Sequence, residues 1–194
     1  MPYLSHHVAT VCTALLFLAL SLVQGGCPPA RHASPAEGGL ALTILHTNDT
    51  HSHIAGIDAY GNACFDDEEC RGGLSRIASA IRAAKSQNDN VIALDAGDQF
   101  QGTLFYSVNK WPMLAALAQS MPYDAMTLGN HEFDEGCLEL TRFLEDIPFP
   151  VLAANLKPEK GCPMLKGNYA PYTVLTVRGQ KVAIVGIANN EVVN

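Results

Sequence analysis

The chain has 194 residues, 48% of them hydrophobic and 16% charged, which is enough apolar material for a domain with a sizeable core and argues against a disordered or fibrous chain. Its formal net charge of -7 argues against a nucleic-acid polymer as partner, because backbone binding needs a basic face. An anionic substrate would need local positive charge, and bound metal ions are the obvious source.

Val8 to Val23 form an uncharged apolar segment, too short for a comfortable membrane span and followed by the small residues Gly25 and Gly26. This predicts a signal peptide over 1–26, export to a periplasmic or extracellular location, and no stable membrane span. The segment before it carries His6 and His7 but no Lys or Arg, so an N-terminal anchor is the alternative. Cys27 stands where an acylated cysteine would, but Gln24 fits that signal poorly. Residues 27–39, rich in Pro, Ala and Gly, read as a flexible linker, and the domain is expected to begin near Leu40. Cys12 and Cys27 fall in the leader or at its junction, which leaves Cys64, Cys70, Cys137 and Cys162 with three possible pairings. In an oxidising compartment a Cys64–Cys70 closure is expected, and without a CxxC pair or a Cys/His cluster a metal role for these cysteines is weak.

The apolar run from Leu42 stops abruptly at Asp49 and His51 and predicts a buried strand that delivers ligands. After a polar loop and Gly72-Gly73, the spacing of Leu74, Ile77, Ala78 and Ile81 predicts an amphipathic helix of about four turns, with Arg76, Arg82 and Lys85 on its wet face. A second strand runs from Val91 to Asp98. Gln99 to Gly102 form a loop, and a second helix is expected to begin near Trp111-Pro112 and to end at Met121-Pro122. The third strand, from Ala125, carries Asn130 and His131 with Glu132, Phe133 and Asp134 behind them. Leu140, Phe143, Leu144 and Ile147 mark a third helix stopped by Pro148 and Pro150, and Val151 to Leu156 read as a fourth strand. Tyr172–Val177 and Val182–Ile187 predict a hairpin turned through Gly179-Gln180. The alternation makes this an α/β domain, with antiparallel strands as well from the hairpin.

Strands separated by helices lie side by side with their carboxyl ends together, so Asp49, His51, Asp98, Asn130 and His131 should converge on one sheet edge. Asp49 and His51 are oxygen and nitrogen donors two positions apart, Asp98 is a carboxylate able to bridge two ions, and Asn130 is a neutral oxygen donor. Mixed O/N ligation suits first-row ions such as Mn²⁺, Fe²⁺ or Zn²⁺. Two such ions about 3.5–4 Å apart serve phosphate-ester hydrolysis. His131 would then face the phosphate uncoordinated, with Asp134 fixing its tautomer, provided that a helical turn brings this i, i+3 pair together. Each strand-end pattern alone reads as an ordinary polar turn; three together at the ends of buried strands do not. His46, inside its strand run, is expected to be a hydrogen-bonded core histidine, and His53 either an outer partner of a ligand or simply exposed.

The stretches Leu45-His-Thr-Asn-Asp-Thr-His51, Arg71-Gly-Gly-Leu-Ser-Arg76, Leu94-Asp-Ala-Gly-Asp-Gln-Phe-Gln-Gly102, Leu128-Gly-Asn-His-Glu-Phe-Asp134 and Pro150-Val-Leu-Ala-Ala-Asn155 closely resemble the 5′-nucleotidase family of calcineurin-like metallophosphoesterases. The resemblance implies a sandwich of two mixed sheets flanked by helices. It implies two divalent ions, Mn, Zn, Fe or Co, held by Asp49, His51, Asp98 and Asn130, a catalytic dyad of His131 and Asp134, and a nucleotide substrate. It also implies a C-terminal nucleotide-binding domain and a Gly-His-x-His segment carrying further ligands. This sequence has no histidine after His131, so residues 40–194 are read as the N-terminal part of such a domain, expected to be inactive alone. The competing expectation is a non-catalytic exported module that retains the fold for metal or nucleotide binding.

Overall fold

In the computed structural model the described residues are 39–64, 69–166 and 168–189. The expected signal peptide, residues 27–38 of the expected linker and the candidate acylation site at Cys27 lie outside them. Among the described residues no helix is long and apolar enough to cross a membrane.

β1 (Thr43–Thr47) opens the domain and is followed by the short antiparallel pair β2 (Gly56–Ile57) and β3 (Ala63–Cys64). α1 (Leu74–Gln87) starts after Gly73, whose φ of 85° and crowding suit only glycine: a Cβ there would sit 2.8 Å from the Gly56 nitrogen. Ala78 and Ile81 are its buried face, and Lys85 in its last turn pairs with Asp124 at 2.8 Å. β4 (Val91–Asp95) follows, and its Val91, Ile92 and Ala93 are all buried, as a central strand covered on both faces requires.

α2 (Leu104–Ala118) begins well before the expected Trp111-Pro112 start. It is two helical segments broken at Lys110, whose φ of 56° and ψ of -162° are not helical, so Pro112 does occupy a first turn, that of the second segment. The first segment escaped the periodicity reading because two of its apolar residues face outward: Leu104 is 81% and Val108 75% exposed. β5 (Ala125–Thr127) leads into a 3-10 turn at His131–Phe133 and then α3 (Gly136–Asp146), which buries Leu140, Phe143 and Leu144. β6 is only Val151–Leu152, shorter than the expected strand to Leu156, because the chain turns at Ala154-Asn155. β7 (Tyr172–Val177) and β8 (Gln180–Val185) form the expected hairpin, but its turn is Arg178-Gly179 rather than Gly179-Gln180. Both turn residues have positive φ, 49° and 78°, as a type I′ connection requires.

The main sheet has the order β1-β4-β5-β6 and is parallel throughout, with Thr47 opposite Asp95, Asp95 opposite Met126 and Thr127 opposite Leu152. The parallel sheet, its helices and the separate antiparallel hairpin make the expected mixed α/β architecture. Sequential order joined by right-handed crossovers puts the helices on one face. The core lies there, with Leu45, Ala93 and Val151 against Phe100, Tyr106, Leu114, Leu140 and Phe143. On the opposite face Ile44 is 53% exposed and His46 is exposed with it, so His46 is not the core histidine expected from its place in the strand.

Cys64 is disulfide-bonded to Cys70 as expected, and Cys137 to Cys162, a pairing the sequence left open. The second bond closes a 25-residue separation and ties the start of α3 to the segment after β6. Replacing both Cys137 and Cys162 by serine is expected to cost about 3–4 kcal/mol by chain entropy, against about 2–3 for Cys64–Cys70. Comparing the thermal midpoints of the two double variants checks this; an equal or reversed order would contradict it.

Candidate metal centre

Past the ends of β1 and β4 the two chains stay zipped together: Asp49 N–H donates to Gly97 O, His51 N–H to Asp98 O and Ser52 N–H to Gln99 O, each at 3.0 Å. The buried Ser52 hydroxyl adds a bond to Gln99 O at 2.9 Å. The loops hold an unusual backbone, with positive φ at the non-glycine residues Asp49, His51, Ser52, Asp98 and Gln101. Such conformations cost free energy and persist where surrounding contacts over-determine them. Their effect is to turn three side chains to one point: donor atoms of Asp49, His51 and Asp98 lie within 4.8 Å of one another.

His51 is oriented by a bond between Nδ1 and the Phe100 carbonyl at 3.1 Å, which makes Nδ1 the protonated nitrogen and leaves Nε2 as a free donor pair, 3.9 Å from Asp49 Oδ1. Two carboxylates and one imidazole at this separation fit a first-row divalent ion. His53 is exposed, with Nδ1 2.9 Å from Thr50 O.

The third loop meets this group through His131. Its backbone N–H donates to Asp98 Oδ1 at 2.9 Å, and its ring stands edge-on to that of His51 with centroids 5.2 Å apart. The 3-10 turn supplies what the His131–Asp134 spacing needed: Nδ1 lies 2.8 Å from Asp134 Oδ2. That hydrogen bond raises the His131 pKa, against a smaller opposing effect of burial. Gln101 Nε2 donates to the same Asp134 oxygen at 2.8 Å, fixing the carboxylate from the neighbouring loop. Asn130 precedes His131, and its Oδ1 accepts from Asn189 Nδ2 at 3.5 Å. Asn189 is held there by Asn155, whose side chain bonds both the carbonyl (2.8 Å) and the N–H (2.9 Å) of Ala188.

Two residues of the centre were not singled out as site residues from the sequence. Glu132 is fully buried beneath the loops and accepts backbone N–H groups from both of them. Burial pushes its carboxyl up, while the N–H groups of Asp98, Gln99 and Gly129 pull it down. Asp95, 2% exposed at the end of β4, accepts from Thr47 Oγ1 and from Gly97 N–H. Burial likewise raises its carboxyl above the usual range. Only the rarity of buried carboxylates would have pointed to them, and a sequence does not display burial.

The close approach of loops requires Gly97, where φ is +90° and a Cβ would stand 2.2 Å from the Gly129 nitrogen. Gly97→Ala is expected to destabilise by about 2 kcal/mol or more and to weaken Mn²⁺ binding, since the clash pushes Asp98 away from Asn130. A thermal melt with a Mn²⁺ titration checks both; unchanged values would contradict the tight junction.

Residues 42–190 match the family model described as calcineurin-like phosphoesterase. Human 5′-nucleotidase is 41% identical over 160 residues, a match that takes in 81% of this chain and 28% of that protein. The 5′-nucleotidase precursor of Thermus thermophilus superposes with a TM-score of 0.67 at 36% identity, over 78% of this chain and 29% of that one. The NAD nucleotidase of Haemophilus influenzae gives 0.68 at 34% identity, over 79% and 30%. The chain thus spans less than a third of the length of the curated relatives it matches.

Proposed function

We propose that this chain, which belongs to the calcineurin-like phosphoesterase family, is the N-terminal, metal-binding part of an exported 5′-nucleotidase-type enzyme that hydrolyses phosphate esters of nucleotides. The observation that carries the reading is the grouping of Asp49, His51 and Asp98 donors within 4.8 Å, with His131 tied to Asp98. Asp49, His51, Asp98 and Asn130 would hold two divalent ions, and the mixed oxygen and nitrogen set favours Mn, Zn, Fe or Co. Bound there, such ions supply positive charge to phosphate oxygens and lower the pKa of a water.

The chain's own residues do the rest. Asp49, exposed, presents its carboxylate from the rim, while His51 is held by Phe100 O so that only Nε2 faces the centre. His131 has Nδ1 committed to Asp134, which leaves Nε2 to donate to a phosphate oxygen or the leaving oxygen. Water adds to phosphorus, the ester P–O bond breaks, and the leaving oxygen takes a proton. Export is supported by the two disulfides, which persist in oxidising compartments.

The test is hydrolysis of AMP, an aryl phosphate and NAD by the whole protein, after chelation and after readdition of Mn²⁺. Turnover that chelation removes and Mn²⁺ restores, with AMP preferred to the aryl phosphate, is the expected result. Tight Mn²⁺ binding without turnover on any of them would overturn the enzyme reading in favour of a binding module.

A further inference from the structure

We propose that Glu132 is a positioning residue of this centre: a buried carboxylate that straps the Asp98 loop to the Asn130–His131 turn and so sets the spacing of the metal-binding groups without touching metal or phosphate. The proposal rests on the metal-centre reading above. Glu132 Oε2 accepts the backbone N–H of Asp98 at 2.9 Å and that of Gly129 at 2.7 Å. Oε1 accepts Gln99 N–H at 2.7 Å and, at 3.4 Å, Phe100 N–H. A single oxygen therefore joins the loop after β4 to the loop after β5. Sheet pairing has already ended there, the last partners being Asp95 and Met126.

The link is closed in the other direction by His131 N–H on Asp98 Oδ1. Asp98 is thus gripped through its main chain by Glu132 and through its side chain by the residue before Glu132. A carboxylate has about four acceptor sites, and four N–H groups take them, so Glu132 has none left for an ion. Its full burial keeps it from substrate as well.

The chemistry needs a carboxylate. Glutamine would put an NH₂ against backbone N–H groups in one flip or the other, stranding buried donors either at the Asp98–Gly129 bridge or at Gln99. Aspartate is one methylene shorter and cannot span both loops from the same backbone position.

The experiment compares Glu132→Gln with Lys85→Met in the whole protein. The latter removes the ion pair with Asp124, which stands at the amino-terminal end of β5 and so at the opposite end of that strand from the strap, and reports the effect of lost stability alone. For each, Mn²⁺ alone is titrated into metal-free protein, and AMP hydrolysis is measured at saturating Mn²⁺. Glu132→Gln is expected to lower Mn²⁺ affinity about tenfold or more and kcat about 10- to 100-fold, with KM within about twofold, as loss of an outer partner does. Lys85→Met should leave all three unchanged. If Glu132→Gln matches wild type, or falls no further than Lys85→Met, the proposal is overturned. Should Glu132→Gln fail to fold, amide exchange of metal-free wild type decides: Asp98, Gln99 and Gly129 N–H are expected to exchange at least about a hundredfold slower than a free chain. Free-chain rates there overturn it too. Wild-type protein that binds no Mn²⁺ sinks the metal-centre reading and this proposal with it, whereas a binding wild type with an unaffected Glu132→Gln sinks this proposal alone.

Discussion

Asp98→Asn in the whole protein is expected to lower kcat for phosphate-ester hydrolysis by about a thousandfold or more and to strip bound metal in the same step. The substitution keeps the shape of the side chain and an oxygen that can still accept His131 N–H, so the 2.9 Å link to the third loop survives. What disappears is the charge and one of two oxygen donors in the group shared with Asp49 and His51. Altering an outer partner of a metal ligand already costs about 10- to 100-fold, and a ligand proposed to bridge two ions must cost more. Metal content per chain, measured beside kcat, checks the coupling. A variant that is inactive yet fully loaded would mean that Asp98 acts on the substrate rather than on the metal.

His131→Ala should separate the two quantities. Activity is expected to fall about 10²- to 10⁴-fold, the usual worth of a positioned acid or base, while metal stays bound. The reason is geometric: the His131 side chain bonds Asp134, and it is the backbone N–H, which alanine retains, that holds Asp98. Loss of metal equal to that of Asp98→Asn would remove His131 from a catalytic role and make it a ligand.

The strand ends were legible because an apolar run that stops at Asp49, Asp98 or Asn130 is a pattern in one dimension, and parallel topology carries it to a common edge. The His131–Asp134 contact was legible only conditionally, since the 3-10 turn that closes it is set by the packing of its neighbours rather than by those four residues. Glu132 lies inside the same motif, yet its four hydrogen bonds reach backbone groups that any sequence possesses, so nothing in the side chains around it announces the strap. His46 misled for the converse reason: alternation predicts which face of β1 a residue shares but not whether that face is covered, and the face it shares with Ile44 is not covered among the described residues. The first half of α2 was missed because Leu104 and Val108 point away from the core, so that helical spacing carried no amphipathic signal there.

The most direct test of the account is an anomalous-scattering map at the manganese edge from crystals of the whole protein soaked in Mn²⁺. The account predicts a peak about 2.0–2.4 Å from His51 Nε2 and from carboxylate oxygens of Asp49 and Asp98, with a second peak about 3.5–4 Å away beside Asn130, and His131 unligated. A folded protein with no peak among these residues, or with manganese bound to His131 instead, would contradict it.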